Sequence, residues 1–161
     1  MIPLLCTQVY CFHDRDILLM RRHKEPNLGL WVAPGGKIEY YESPQEGAVR
    51  ELREETGLVA AEIHLRGIVS LILPDLRQPC LHFLYAVPTF TGELLADERE
   101  GRLQWWPVDT AAQLPMPPAN ACFLQHVLTA GREIYQARYV YDEQFQIVAC
   151  VEHGSRLADR I

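Results

Sequence analysis

The chain has 161 residues, room for one domain, and 48% of them are apolar, enough for a sizeable buried core. Its formal charge is −6 and it has no basic run, which argues against long nucleic acid as the main partner. A nucleotide stays open, because a bound metal and a few arginines reverse a local potential.

In chain order, residues 2–12 and 16–21 read as strands joined by a hairpin at His13-Asp14-Arg15. Arg21-Arg22-His23-Lys24 follows, either a solvated strand end or a set of cations near a polyphosphate or base. A polar loop leads into a short buried strand, Trp31-Val32-Ala33, and then a glycine turn, Pro34-Gly35-Gly36, where the backbone can approach a ligand. A helix comes next. Ser43 suits its N-cap, Pro44 its first position, Glu46 completes a capping box, and Gly57 ends it. Ala48 and Leu52 pack inward while Glu51 and Glu55 face the other way. Glu51, Glu54 and Glu55 stand at i, i+3 and i+4, so they repel one another unless a cation sits among them. Hard oxygen ligands at this spacing suit Mg²⁺ or Mn²⁺.

Residues 58–73 read as two consecutive β segments, and 81–88 as a buried strand whose His82 and Tyr85 could face a pocket. A structural role is the more ordinary one for such a histidine. Residues 96–109 form an acidic segment running into Trp105-Trp106-Pro107, with both tryptophans read as core packing more than as a stacking platform. A short helix capped by Asp109, a break at Pro115-Met116-Pro117-Pro118, and a second helix over 121–130 capped by Asn120 and ended by Gly131 are expected. Residues 133–141 and 145–151 read as a hairpin, and 153–161 as a polar tail. No apolar run approaches the ~18 residues of a membrane span, and the N-terminus lacks signal-peptide features. The five cysteines form no C-x-x-C pair and are odd in number. Free thiols in a reducing cytoplasm are expected, and nothing near them in sequence resembles a zinc site.

Gly36, Glu42, Arg50-Glu51-Leu52, Glu54-Glu55 and Gly57-Leu58 resemble a complete Nudix box, matching all seven fixed and both apolar positions. The resemblance implies an α/β fold, an α/β/α sandwich with a mixed sheet, as a single domain over residues 1–152. It implies Mg²⁺ (or Mn²⁺) held by Glu51, Glu54, Glu55 and the Gly35 carbonyl. Glu100, with Glu98 as alternate, resembles an additional metal-binding or base carboxylate. Glu51 and Glu100 are the two candidates for taking the water's proton. Arg50 is expected to orient the carboxylates, Glu42 to be structural, and Lys37 to touch phosphate.

Arg22 matches in position an arginine near the purine in MutT-type enzymes, and Pro117-Pro118-Ala119-Asn120 resembles their PPAN segment, whose asparagine reads the oxidised base. Asn120 as a plain cap is the alternative. The implied reaction is nucleoside triphosphate to monophosphate plus pyrophosphate, with 8-oxo-dGTP or a related purine as substrate. Val32 departs from the mammalian branch, which has asparagine there, and Ala119-Asn120 replaces its aspartate pair. Rival readings are a Nudix hydrolase for ADP-ribose, a nucleotide sugar, a dinucleoside polyphosphate or a pyrimidine triphosphate. A silent nucleotide-sensing domain would be expected to lose box glutamates, and an RNA-processing role would want a basic track. The chain is expected to act as a monomer or homodimer, away from membranes.

Overall fold

Strand β1 (Leu4–His13) carries apolar side chains on both faces, and this double burial sets the architecture. Cys6 and Tyr10 point into one core and Val9 and Cys11 into another. Strand β2 (Asp16–Arg22) does the same, sending Ile17 and Leu19 one way and Leu18 the other. A sheet apolar on both faces must be covered twice. Helix α1 (Pro44–Thr56) covers the Val9 side through Ala48 and Leu52. A later helix, Pro118–Leu128, covers the Tyr10 side through Phe123, Leu124 and Val127. The structure is a computed structural model that describes residues 2–76, 78–96, 99–129 and 133–153. The expected helix end at Gly131, the alternate carboxylate Glu98 and the tail beyond His153 lie outside the described residues.

The remaining elements are β3 (Trp31–Val32), β4 (Val59–Ile72), β5 (Cys80–Thr91), β6 (Gly101–Pro107), α2 (Val108–Ala111), α3 (the helix Pro118–Leu128), β7 (Tyr135–Tyr141) and β8 (Ile147–His153). The sheet order is β3-β2-β1-β5-β4-β7-β8, with β6 paired to β2. β1 runs parallel to β5, and β4 parallel to β7, while the other pairings are antiparallel. The sheet is therefore mixed and lies between helices, as expected.

Four local expectations need correction. Residues 59–72 form one strand, because register shifts at three points along its pairing with β5 absorb the break in alternation. α3 begins at Pro118 with Pro117 as its cap residue, so Asn120 lies inside the first turn and caps nothing. The proline at the first helical position starts the helix earlier than the asparagine would. Asp109 likewise lies inside α2 and makes no cap; its carboxylate accepts from Arg15 Nη2 at 3.2 Å. The β8 strand starts at Ile147, two residues after the expected 145.

Trp105 stacks on Phe90 (centroids 5.7 Å apart), and Trp106 meets Trp31 edge-on at 5.2 Å, so both tryptophans pack the core. No helix among the described residues is long and apolar enough to cross a membrane.

Candidate active site

The site is built on α1, whose start and end are both fixed locally. Ser43 Oγ accepts from the Glu46 N–H at 3.3 Å, and Glu46 Oε2 accepts from the Ser43 N–H at 2.8 Å, a reciprocal capping box. Gly57 closes the other end at φ +79°, donating to the Arg53 carbonyl. With both ends pinned and Leu52 fully buried, the helix presents its glutamates rigidly.

The loop before α1 lies along β1 by backbone hydrogen bonds: Thr7 N–H to the Gly36 carbonyl, Val9 N–H to Pro34, and Ile38 N–H to Leu5. Two glycines make this approach possible. A Cβ on Gly35 would fall 2.2 Å from the Thr7 carbonyl oxygen, and the residue sits at φ +149°. A Cβ on Gly36 would fall 2.6 Å from the Glu51 carboxyl. Gly35 also donates its N–H to Glu55 Oε2 at 2.8 Å. The loop and the helix thus bring Glu51 and Glu55 together against Gly35 and Gly36.

Arg50 organises the same carboxylates. Its Nε and Nη2 grip Glu42 in a bidentate pair at 2.6 and 2.9 Å. Its Nη1 donates to Glu51 at 2.8 Å and to Glu54 at 3.2 Å, and its Nη2 to the Lys37 carbonyl at 3.0 Å. The Arg50 guanidinium, with the Glu39 N–H, holds Glu42 down to about 2. Glu42 is therefore an anchor for the arginine, and the arginine is the strut between loop and helix.

Glu55 behaves differently. Burial pushes its carboxyl up to about 7, against the Gly35 N–H, and the neighbouring charges of Glu51 and Glu100 push the same way while Arg22 opposes them. Three carboxylates thus converge electrostatically, with Arg22 as the counter-charge felt there. This donor set, hard oxygens in excess of positive charge, fits a divalent cation.

Glu100 pairs with Lys24 Nζ at 2.8 Å, and its backbone carbonyl accepts from His23 N–H. Arg22 Nε donates to the Pro26 carbonyl at 2.7 Å, which anchors the loop and leaves its charge near Glu55. Glu54 is the most exposed of Glu51, Glu54 and Glu55, its side chain 59% accessible. An open groove of about 1000 Å³ runs along α1 past Arg50, Arg53 and Glu54 to Tyr85. It borders the carboxylate cluster without including Glu51 or Glu55.

Asn120 lies apart from this cluster. It is buried on the α3 side of the sheet and donates through Nδ2 to Gln8 Oε1 at 3.3 Å. The pocket around it, lined by Tyr10, Leu19, Trp31 and Met116 among others, has no room for a water molecule, let alone a base. The same Gln8 oxygen accepts from the Tyr10 hydroxyl at 2.8 Å, and the Gln8 amide nitrogen meets His82 Nδ1 at 3.2 Å. Sequence reasoning missed this network. The sequence showed its members singly, Gln8 in a mostly apolar strand, His82 in β5 and Asn120 after the prolines, but not that they meet.

The NUDIX domain family model matches residues 5–127. The chain belongs to the Nudix family and is a Nudix hydrolase. It is 31% identical over 139 residues to YvcI, described as an uncharacterized Nudix hydrolase, of Bacillus subtilis, covering 84% of this chain and 85% of that one. It is 36% identical over 118 residues to the CTP pyrophosphohydrolase of Escherichia coli, covering 70% and 82%. The crystal structure of the MutT protein from Bacillus halodurans superposes with a TM-score of 0.84 at 29% identity, covering 92% of this chain and 97% of that one. Nudix enzymes generally use divalent metal ions and act on nucleotide substrates.

Proposed function

We propose that this Nudix hydrolase is a cation-dependent pyrophosphohydrolase that converts a nucleoside triphosphate to the monophosphate and pyrophosphate. The observation carrying this reading is the convergence of Glu51 and Glu55 on Gly35 and Gly36, with Arg50 bracing Glu51 and Glu54.

Glu51, Glu54, Glu55 and the Gly35 carbonyl would hold Mg²⁺ or Mn²⁺, with Glu100 as a further oxygen ligand or as the base. The ion supplies charge neutralisation for the phosphoryl oxygens and acidifies water. Glu51 or Glu100 accepts the proton of the attacking water. Arg50 keeps Glu51 and Glu54 oriented through the step. Arg22, whose charge is felt at Glu55, and Lys37, next to Gly36, would supply positive charge to the polyphosphate; the water oxygen bonds to an inner phosphorus as the phosphoanhydride bond between the α- and β-phosphates breaks, giving monophosphate and pyrophosphate.

The finer reading is an oxidised purine such as 8-oxo-dGTP. It is supported by the MutT-like fold, by the Pro117–Asn120 stretch, and by a 32% identical putative 8-oxo-dGTP diphosphatase of Mycobacterium tuberculosis. Base reading by Asn120 requires the closed pocket to open and Gln8 to release the amide. That requirement favours a second reading, a pyrimidine triphosphate, in line with the relative named for CTP. An ADP-ribose pyrophosphatase of Methanocaldococcus jannaschii, 31% identical, adds a third candidate.

The test is pyrophosphate and phosphate release with Mg²⁺ from dGTP, 8-oxo-dGTP, dATP, CTP, ADP-ribose and a dinucleoside polyphosphate. Selective turnover of 8-oxo-dGTP, weakened by Asn120→Ala, supports the purine reading. Preference for CTP, untouched by Asn120→Ala, replaces it with the pyrimidine one. Release from none of the triphosphates overturns the proposed reaction.

A further inference from the structure

The parallel pairing of β1 with β5 does something that the linear sequence does not suggest. It sets Cys6 directly opposite His82, and Cys80 lies two residues before His82 on the same strand face. Cys6 Sγ and Cys80 Sγ are 3.6 Å apart. One atom from each of the three side chains, both sulfurs and a ring nitrogen, lies within 4.8 Å of the others. Cys6 lies 74 positions before Cys80 and 76 before His82, so only the strand pairing brings it to them.

We propose that Cys6, Cys80 and His82 form a binding site for a thiophilic divalent cation such as Zn²⁺, separate from the carboxylate cluster on α1.

The spacing carries the argument. With Zn–S bonds of ~2.3 Å, the edge between two sulfurs of a tetrahedral site is about 3.8 Å. The observed separation matches this edge and is far from the ~2.05 Å of a disulfide. Zinc sites of three protein ligands leave a fourth position for water or another ligand. The charge balances as well: two thiols release their protons to solvent, and two thiolates with a neutral imidazole cancel the ion's double charge. A neutral assembly is what a buried location tolerates.

Cys6 also bridges to Lys37, the residue after Gly36, so an ion here would tie β1 to β5 beside the loop that holds Glu55.

The experiment is titration of the reduced full chain with Co²⁺, followed by its absorption spectrum. Thiolate-to-cobalt charge-transfer bands in the near ultraviolet, with intense tetrahedral d–d bands, are expected at one equivalent and should bleach on adding Zn²⁺. Cobalt held by the glutamates gives no thiolate band, so the two sites are told apart. Cys80→Ser should remove the band and weaken Zn²⁺ at least ~100-fold, whereas Cys122→Ser, at an exposed thiol, should leave both unchanged. On the wild-type chain, zinc X-ray absorption fine structure should show two sulfurs at about 2.3 Å, a readout that needs no variant to fold. A zinc shell of oxygen and nitrogen alone, absence of a thiolate band, or a band that survives Cys80→Ser overturns the proposal.

Discussion

Replacing Glu55 by glutamine should stabilise the metal-free protein above neutral pH, although it removes a carboxylate expected to serve the chemistry. Burial lifts the Glu55 pKa from an ordinary 4.5 to about 7. The folded state therefore holds this proton more tightly than the unfolded chain does. The associated stability is fully present below about pH 4.5 and is lost as pH rises through about 7. The loss amounts to about 3 kcal/mol at most. Glutamine keeps an oxygen for the Gly35 N–H but never ionises. In EDTA at pH 8, Glu55→Gln should melt roughly 5–10 °C above wild type, and the two should converge near pH 4.5. Mg²⁺ should raise the wild-type melting temperature at pH 8 and leave the variant unmoved. Scanning calorimetry from pH 4.5 to 8, with and without Mg²⁺, reads all of this. A metal-free wild type that melts at one temperature across that range, or a variant that melts lower at pH 8, would show that Glu55 holds no raised proton affinity in the folded state.

Four further substitutions test the same geometry. Gly36→Ala places a methyl 2.6 Å from the Glu51 carboxyl, so turnover should fall ~100-fold while the melting temperature changes by no more than a few degrees, as kinetics and calorimetry would show. Arg50→Lys cannot reproduce the bidentate grip on Glu42 while also reaching Glu51 and Glu54; kcat should drop ~10–100-fold with KM nearly constant in steady-state assays. Glu100→Gln should lower kcat by at least ~10-fold, whereas Lys24→Ala removes only an exposed ion pair and should shift stability by less than ~1 kcal/mol in denaturant titrations.

What could be read from the sequence was what neighbours along the chain decide. The limits of α1, its capping box and the common face of Glu51 and Glu55 all rest on residues within a few positions of one another. The Pro34-Gly35-Gly36 turn was legible for the same reason, although its reason for needing glycine, contact with Thr7 and Glu51, was not. The errors came where two local signals competed. Proline at the first helical position outweighed Asn120 as a start signal, and bulges let β4 run through a stretch whose alternation breaks. What stayed hidden depends on pairing between distant strands. Gln8, His82, Cys6 and Cys80 meet only because β1 lies parallel to β5, and no spacing in the chain announces that register.

In the proposed function, the glutamates of α1, gathered by Gly35 and Arg50, hold the cation that serves hydrolysis. The most direct measurement is the anomalous scattering of Mn²⁺ in crystals of the reduced protein. The expected result is a peak bounded by the Glu51, Glu54 and Glu55 carboxylates and the Gly35 carbonyl, at about 2.1–2.2 Å from their oxygens, and its loss in Glu55→Gln. A manganese peak away from α1, or one that persists unchanged in the variant, would contradict it.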